Sequence, residues 1–217
     1  MIVGYFPQIT GILHFWVTHS FHSASPILDG GDQIATILTA MLIPISMMDR
    51  RKNHWSNSTN QSDLSIFWGK LIFKIISLQV SFIYFNTAVE KLYKLSEWKN
   101  GTAMYYIFNG EYFGLTDFFL ALFNPIINSK YVLLFTYWIV FSHLFLSYLL
   151  FIEREKKYKF ISIGFLLHGG IAFFMGLWSF SFVMIGALVL YLSEFNLNVK
   201  KSWKIKHYLK RLTTTNH

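Results

Sequence analysis

The sequence predicts an all-α protein, a polytopic transmembrane helical bundle of about six membrane segments with an aromatic interfacial region on its outer side. Three observations lead there. The chain of 217 residues is 53% hydrophobic and 19% aromatic but only 14% charged, against about 25% charge in ordinary soluble domains. Its lysines and arginines, which give a formal net charge of +8, fall in short clusters between uncharged runs instead of along one polar face. That is the pattern of membrane topology signals, not of a nucleic-acid footprint, so no nucleic-acid partner is expected. Finally, the uncharged runs reach membrane-spanning length, as from 131 to 152 and from 160 to 193.

Several classes are excluded at once. No cysteine is present, which removes disulfides, thiolate nucleophiles and cysteine metal sites. The N-terminal MIVGYFPQITGILHFW has neither a basic n-region nor a small-residue cleavage pattern, so it does not read as a signal peptide. Residues 1–199 read as a single transmembrane domain and residues 200–217 as a basic cytoplasmic tail whose amphipathic part lies on the membrane surface.

In order along the chain, residues 9–28 form an uncharged but polar segment carrying His14, His19 and His22. At about 100° per residue His19 and His22 lie about 60° apart, and His14 about 80° from His22. A three-histidine metal face is conceivable. Histidines satisfied by neighbours are the commoner case, no carboxylate follows until Asp29, and no metal site is assigned. The corner LDGGDQI follows, in which the glycine pair is expected to break the helix and Asp32 to cap the next one. Gln33, one step further into an apolar helix, is less easily explained as a cap. An apolar run to residue 48 ends at the basic DRRKNHW, and residues 56–63 form a polar loop.

Residues 64–92 predict a long helix whose Lys70 and Lys74 snorkel to headgroups at its start. After Lys74 this helix carries no charge except Glu90 and Lys91, so a whole apolar span delivers one charged pair to a chosen depth. Placement of that kind suggests function. The stretch from 93 to 129 reads as short interfacial helices and turns with Trp98, Tyr105, Tyr106 and Tyr112 at headgroup level, able to cover the Lys91 end. A span containing His143 follows and ends at the basic 153–159 cluster. The uncharged run from 160 to 193 overshoots one bilayer crossing, so it splits near 176–179 into a helical hairpin with His168 in its first half.

The basic clusters at 50–52, 153–159 and 200–211 then share one side, which the positive-inside rule makes cytoplasmic. Lys91, Trp98 and the start of the span bearing Gln33 share the outer side.

The runs TGILHFW, LDGGDQIAT, DRRKNHW, YFNTAVEKL, EWKNGTAMYY and LLHGGIAF resemble those of the sporulation-delaying protein B family. These multipass proteins are similar to the transmembrane domain (HTTM domain) of vitamin K-dependent γ-carboxylase. The resemblance covers nearly the whole chain in order. It implies a bacterial plasma-membrane factor, C-terminus cytoplasmic, that acts with a small companion protein to mature a secreted toxin precursor, a form of antimicrobial-peptide or bacteriocin biosynthesis. In the carboxylase a lysine in a YF…KL…W…G pattern deprotonates a quinol. Here the pattern reads Tyr84-Phe85, Lys91-Leu92, Trp98, Gly101, so the resemblance gives Lys91 the role of base, with His168 and Gln33 as further catalytic positions. Asp32, Trp98, Gly101 and Tyr105 are the candidate substrate-binding positions; the cofactor stays unknown, a quinone being suggested by the resemblance alone. Relative to the family, one or more N-terminal spans are expected to be missing.

A base role requires a neutral amine near pH 7, although an ordinary lysine titrates near 10.4; burial in an apolar site is what penalises the ammonium form. The competing reading is an interfacial lysine paired with Glu90, Glu97 or lipid phosphate. Two further functions stay open beside maturation: a quinol-linked membrane redox enzyme, and a non-enzymatic peptide-binding immunity or scaffold protein.

Overall fold

A computed structural model describes residues 4–26, 30–56, 62–111 and 113–192 of the chain. The expected basic tail, Tyr112, Asp29 and most of the polar loop after Trp55 lie outside the described residues.

The described chain is helical, with no strand longer than an isolated bridge between Tyr5 and Asn53. Helix α1 (Pro7–Ala24) packs along α2 (Gly30–Met48), and α3 (Asp63–Lys94) is the longest element. At 1.5 Å per residue its 32 residues extend about 48 Å. Two short helices, α4 (Ser96–Lys99) and α5 (Ala103–Phe108), then turn back toward the bundle, followed by α6 (Asp117–Ile127). Helix α7 (Val132–Tyr148) runs antiparallel to α3 and ends in a 3₁₀ turn; α8 (Arg154–Met175) and α9 (Trp178–Leu192) form the closing hairpin.

Local chemistry accounts for these boundaries. The Ser62 side chain accepts a hydrogen bond from the Ser65 N–H at the start of α3, Asp63 lies in its first turn, and Lys91 and Lys94 lie in its last, each sign matching the helix dipole. The hairpin breaks where the sequence predicts, at Gly176, whose φ of 72° supplies the left-handed residue that ends α8 while its N–H bonds Ala172 O. The glycine pair at 30–31 behaves differently from expectation. It lies inside the first turn of α2 instead of breaking the helix, and Asp32 therefore sits within that turn, its backbone carbonyl accepting from the Thr36 hydroxyl at 2.9 Å. A glycine is cheap in a first turn, where the backbone N–H groups lack intrahelical partners anyway.

Helix α3 is central to the core, packing against α2, α7 and α9. Its Ile76, Val80 and Tyr84 are fully buried against Leu38 of α2, Leu146 of α7 and Leu188 of α9. The opposite faces are apolar and exposed: Phe82 and Phe85 of α3, Leu134 and Phe141 of α7, Phe173 of α8 and Phe182 of α9. An outward surface of this kind is suited to lipid, not water. Among the described residues α2, α3 and the helix from Val132 to Phe151 are long and apolar enough to cross a membrane, while α6, α8 and α9 contain shorter apolar helices. Lys70 and Lys74 are exposed near the start of α3, as snorkelling lysines should be.

At the end of the bundle opposite Lys91, the turn after α2 is tied together by Asp49. Its carboxylate accepts from Arg51 Nε and Nη2, each at 2.7 Å, and lies 2.8 Å from His54 Nδ1. Burial pushes the Asp49 carboxyl up, but the hydrogen bonds from Arg51 and His54 outweigh that effect and hold it below the usual aspartate value. The N-terminal segment docks on the same turn, with Phe6 N–H donating to Lys52 O and His54 N–H to Gly4 O.

Candidate functional site

The site begins with a stripe on α3. Ile76, Val80, Tyr84 and Ala88 recur every four residues and are all fully buried. Lys91, three residues beyond Ala88, continues the same face. The one late lysine of the apolar helix thus points along the core side of α3 and is itself only partly exposed.

Helix α4 covers it. The Lys91 ammonium nitrogen lies 4.8 Å from the centre of the Trp98 ring, within cation–π range. Trp98 is buried against Ala88, Ala103, Met104, Val132 and Val140, so it is not the headgroup-level anchor expected from the sequence. Interfacial and core tryptophans look alike in sequence. What buries this one is the fold-back of the chain after α3. That fold-back is fastened to α7, where the Tyr137 hydroxyl donates to Lys99 O at 2.6 Å and Met104 N–H donates to Thr136 Oγ1 at 3.3 Å.

Gly101 is needed for the same reason. Its φ is 73°, and a Cβ there would come within 2.6 Å of Leu133 Cδ2, so the backbone at 101 rests directly on α7. The geometry gives Gly101 a packing role. Tyr105 stands exposed at the start of the next turn, its ring edge against Tyr106.

The pairing of Lys91 with Glu90 or Glu97 is not what the structure contains. Glu90 is turned to Lys94, 2.6 Å away and one turn on, and among the described residues no carboxylate lies within salt-bridge distance of Lys91. Consecutive helix residues point about 100° apart, whereas residues four apart are neighbours on one face.

Two turns deeper lies a second polar group. Tyr84 Oη and His168 Nε2 are 2.8 Å apart, joining α3 to α8, and the ring of His143 on α7 is centred 5.7 Å from that of Tyr84. His143 Nδ1 donates to Ile139 O at 2.8 Å. Two buried atoms of this region, His168 Nδ1 and Ser181 Oγ, have no hydrogen-bond partner.

The expected positions therefore separate into groups. Lys91 and Trp98 are in contact, Gly101 supports them, and His168 belongs to the deeper cluster through Tyr84. Gln33 is exposed in the first turn of α2, and Asp32 beside it is partly buried. His143 has no role in the sequence reading, and Tyr84 enters it only as part of the YF…KL…W…G pattern, with no site role of its own. For Tyr84 a signal existed, since a residue seven before Lys91 shares its helix face. The three histidines of α1 form no cluster: His14 and His19 are exposed, His22 is partly buried, and no metal-binding group occurs among the described residues.

The fold is thus a membrane-type apolar helical bundle that holds a partly buried lysine under an indole, with no salt bridge to that lysine among the described residues. The chain is 35% identical over 208 residues to "Sporulation-delaying protein SdpB" of Bacillus subtilis (strain 168), covering 94% of this chain and 63% of that protein. It is 33% identical over 217 residues to "Uncharacterized protein YitO" of the same organism, covering 95% of this chain and 69% of that one. The chain belongs to the sporulation-delaying protein B (SdpB) family. It spans just under two thirds of the length of SdpB itself. No protein-family model and no solved structure matches.

Proposed function

We propose that the chain is a bacterial plasma-membrane factor in the production of a secreted peptide toxin of the sporulation-delaying kind, with Lys91 as its working group. The observation that carries this reading is the similarity to SdpB along 94% of the chain. The partners in this reading are the lipid bilayer, a small companion protein and a secreted peptide precursor. Lys91 acts in it as a base, in the manner of the carboxylase transmembrane domain, and a neutral amine under Trp98 is suited to accept a proton at that point. A quinol held against Lys91 and Trp98 would supply the acidic hydroxyl. The flat indole and the amine are the right chemistry for such a ring. The test is deletion of the gene followed by mass spectrometry of the secreted peptide. Loss of the mature form is expected, and an unchanged, fully mature peptide would sink the proposal.

A second reading rests on the cation–π contact between Lys91 and Trp98, which favours the ammonium form. A fixed cation suits a non-enzymatic binder that captures an anionic group of the peptide, for immunity or as a scaffold. Lys91→Arg separates the two. It keeps the charge and so retains peptide co-purification if the chain is a binder, whereas a proton-accepting role is lost because arginine stays protonated.

A further inference from the structure

We propose that Tyr84 is a positioning residue that holds His168 in its Nδ1–H tautomer, leaving a fully buried N–H donor beneath Lys91 for an acceptor oxygen of a bound molecule. The hydrogen-bonding groups of the pair decide the tautomer. Tyr84 and His168 are 0% and 1% exposed, so neither reaches water. They meet through Oη and Nε2 at 2.8 Å, and His168 Nδ1 has no other partner. No carboxylate among the described residues pairs with His168. A charged ring there would be an unpaired ion in an apolar core, and the imidazole is neutral.

A neutral imidazole has one donor nitrogen and one acceptor. If Nε2–H donated to the phenol oxygen, the phenol O–H would lack an acceptor and Nδ1 would be a bare acceptor, leaving two groups unsatisfied. If the phenol donates to Nε2, only Nδ1–H remains. A buried polar group left unsatisfied is destabilising, so the second arrangement, which leaves one instead of two, wins. The protein itself supplies no acceptor for this N–H, so an acceptor must come from outside the fold, and the oxygen of a bound molecule is of that kind. Ser181 adds a second such group. Its hydroxyl is likewise unpaired and it occupies the buried face of α9 shared by Met184 and Leu188. Phe180 next to it packs its ring edge on the His168 imidazole at 5.8 Å. The donor thus lies on the same interior side of α3 as Lys91, two turns deeper.

This inference deepens the Lys91 site but is read out independently of toxin production. The experiment is ¹⁵N NMR of histidine-labelled full-length chain in lipid nanodiscs, with the His168 signals assigned by their loss in His168→Asn. The expected spectrum has a protonated Nδ1 and an unprotonated Nε2, and Tyr84→Phe should convert it to a mixture of tautomers. A protonated Nε2 in the wild type, a doubly protonated ring, or an unchanged spectrum in Tyr84→Phe overturns the proposal. If Tyr84→Phe does not accumulate, the wild-type tautomer decides alone. In a strain where gene deletion abolishes the mature peptide, Tyr84→Phe should lower its yield about tenfold, the low end of the loss seen when a histidine at a metal centre loses its orienting partner. Undiminished yield overturns the positioning role.

Discussion

At the scale of single residues, neighbours on one helix face decide what a charge does. Glu90 follows the four-residue rule and pairs with Lys94, which leaves Lys91 free to lie under Trp98. That choice was open in the sequence, where both carboxylates near Lys91 were candidate partners. The buried Asp49 gives the opposite case, a carboxylate fully committed to its neighbours. Because its folded value lies below its unfolded one, it adds stability that is complete above the ordinary aspartate range near 3.9 and is lost as pH falls through the lower folded value. Amide exchange at Phe6 and His54, corrected for its intrinsic pH dependence, should therefore stay slow until the pH drops below that range. In Asp49→Asn the same amides should exchange faster at neutral pH and show no acid step, with a cost of about 1–3 kcal/mol for the broken buried bonds.

At the scale of elements, the long apolar helices were legible because their signal is local. The uncharged runs marked α3 and α7, and the glycine near 176 marked the hairpin turn. The short helices after α3 and their cover over Lys91 were legible in outline, but the way α4 and α5 are fastened was not, because it is set by contacts far apart in sequence: the Tyr137 hydroxyl on Lys99 O and the backbone of Gly101 on Leu133. The pairing of Tyr84 with His168, 84 residues apart, was hidden for the same reason. Gly101→Ala probes the fold-back directly. A positive φ and a collision with Leu133 both oppose a side chain there, so thermal unfolding of the detergent-solubilised protein should show a loss of about 1–3 kcal/mol. An equivalent alanine at Gly169, where an added Cβ meets nothing, should cost much less.

At the scale of the whole molecule, an apolar outer surface on several helices, three of them long and apolar enough to cross a membrane, is consistent with a membrane protein, and the basic clusters at 50–52 and 153–159 carry its expected orientation. The expected orientation places Tyr106 outside and Lys159 in the cytoplasm. Because the chain has no cysteine, single substitutions report without interference. Tyr106→Cys should react with an impermeant thiol reagent on intact cells, and Lys159→Cys only after the membrane is permeabilised; the reverse pattern would invert the topology. The number of crossings is a question of length, since α8 and α9 are shorter than α3, and the same labelling at each turn counts them.

All three scales converge on Lys91, brought to one end of the bundle by a long apolar helix, freed from Glu90 and covered by Trp98. The direct test is mass spectrometry of the secreted peptide from cells carrying Lys91→Ala, with membrane accumulation of the variant measured in parallel and Glu90→Gln as control. Lys91→Ala should accumulate normally yet yield no mature peptide, as expected if Lys91 is the working group, while Glu90→Gln should yield it at the wild-type level. Mature peptide at the wild-type level from Lys91→Ala would contradict that role.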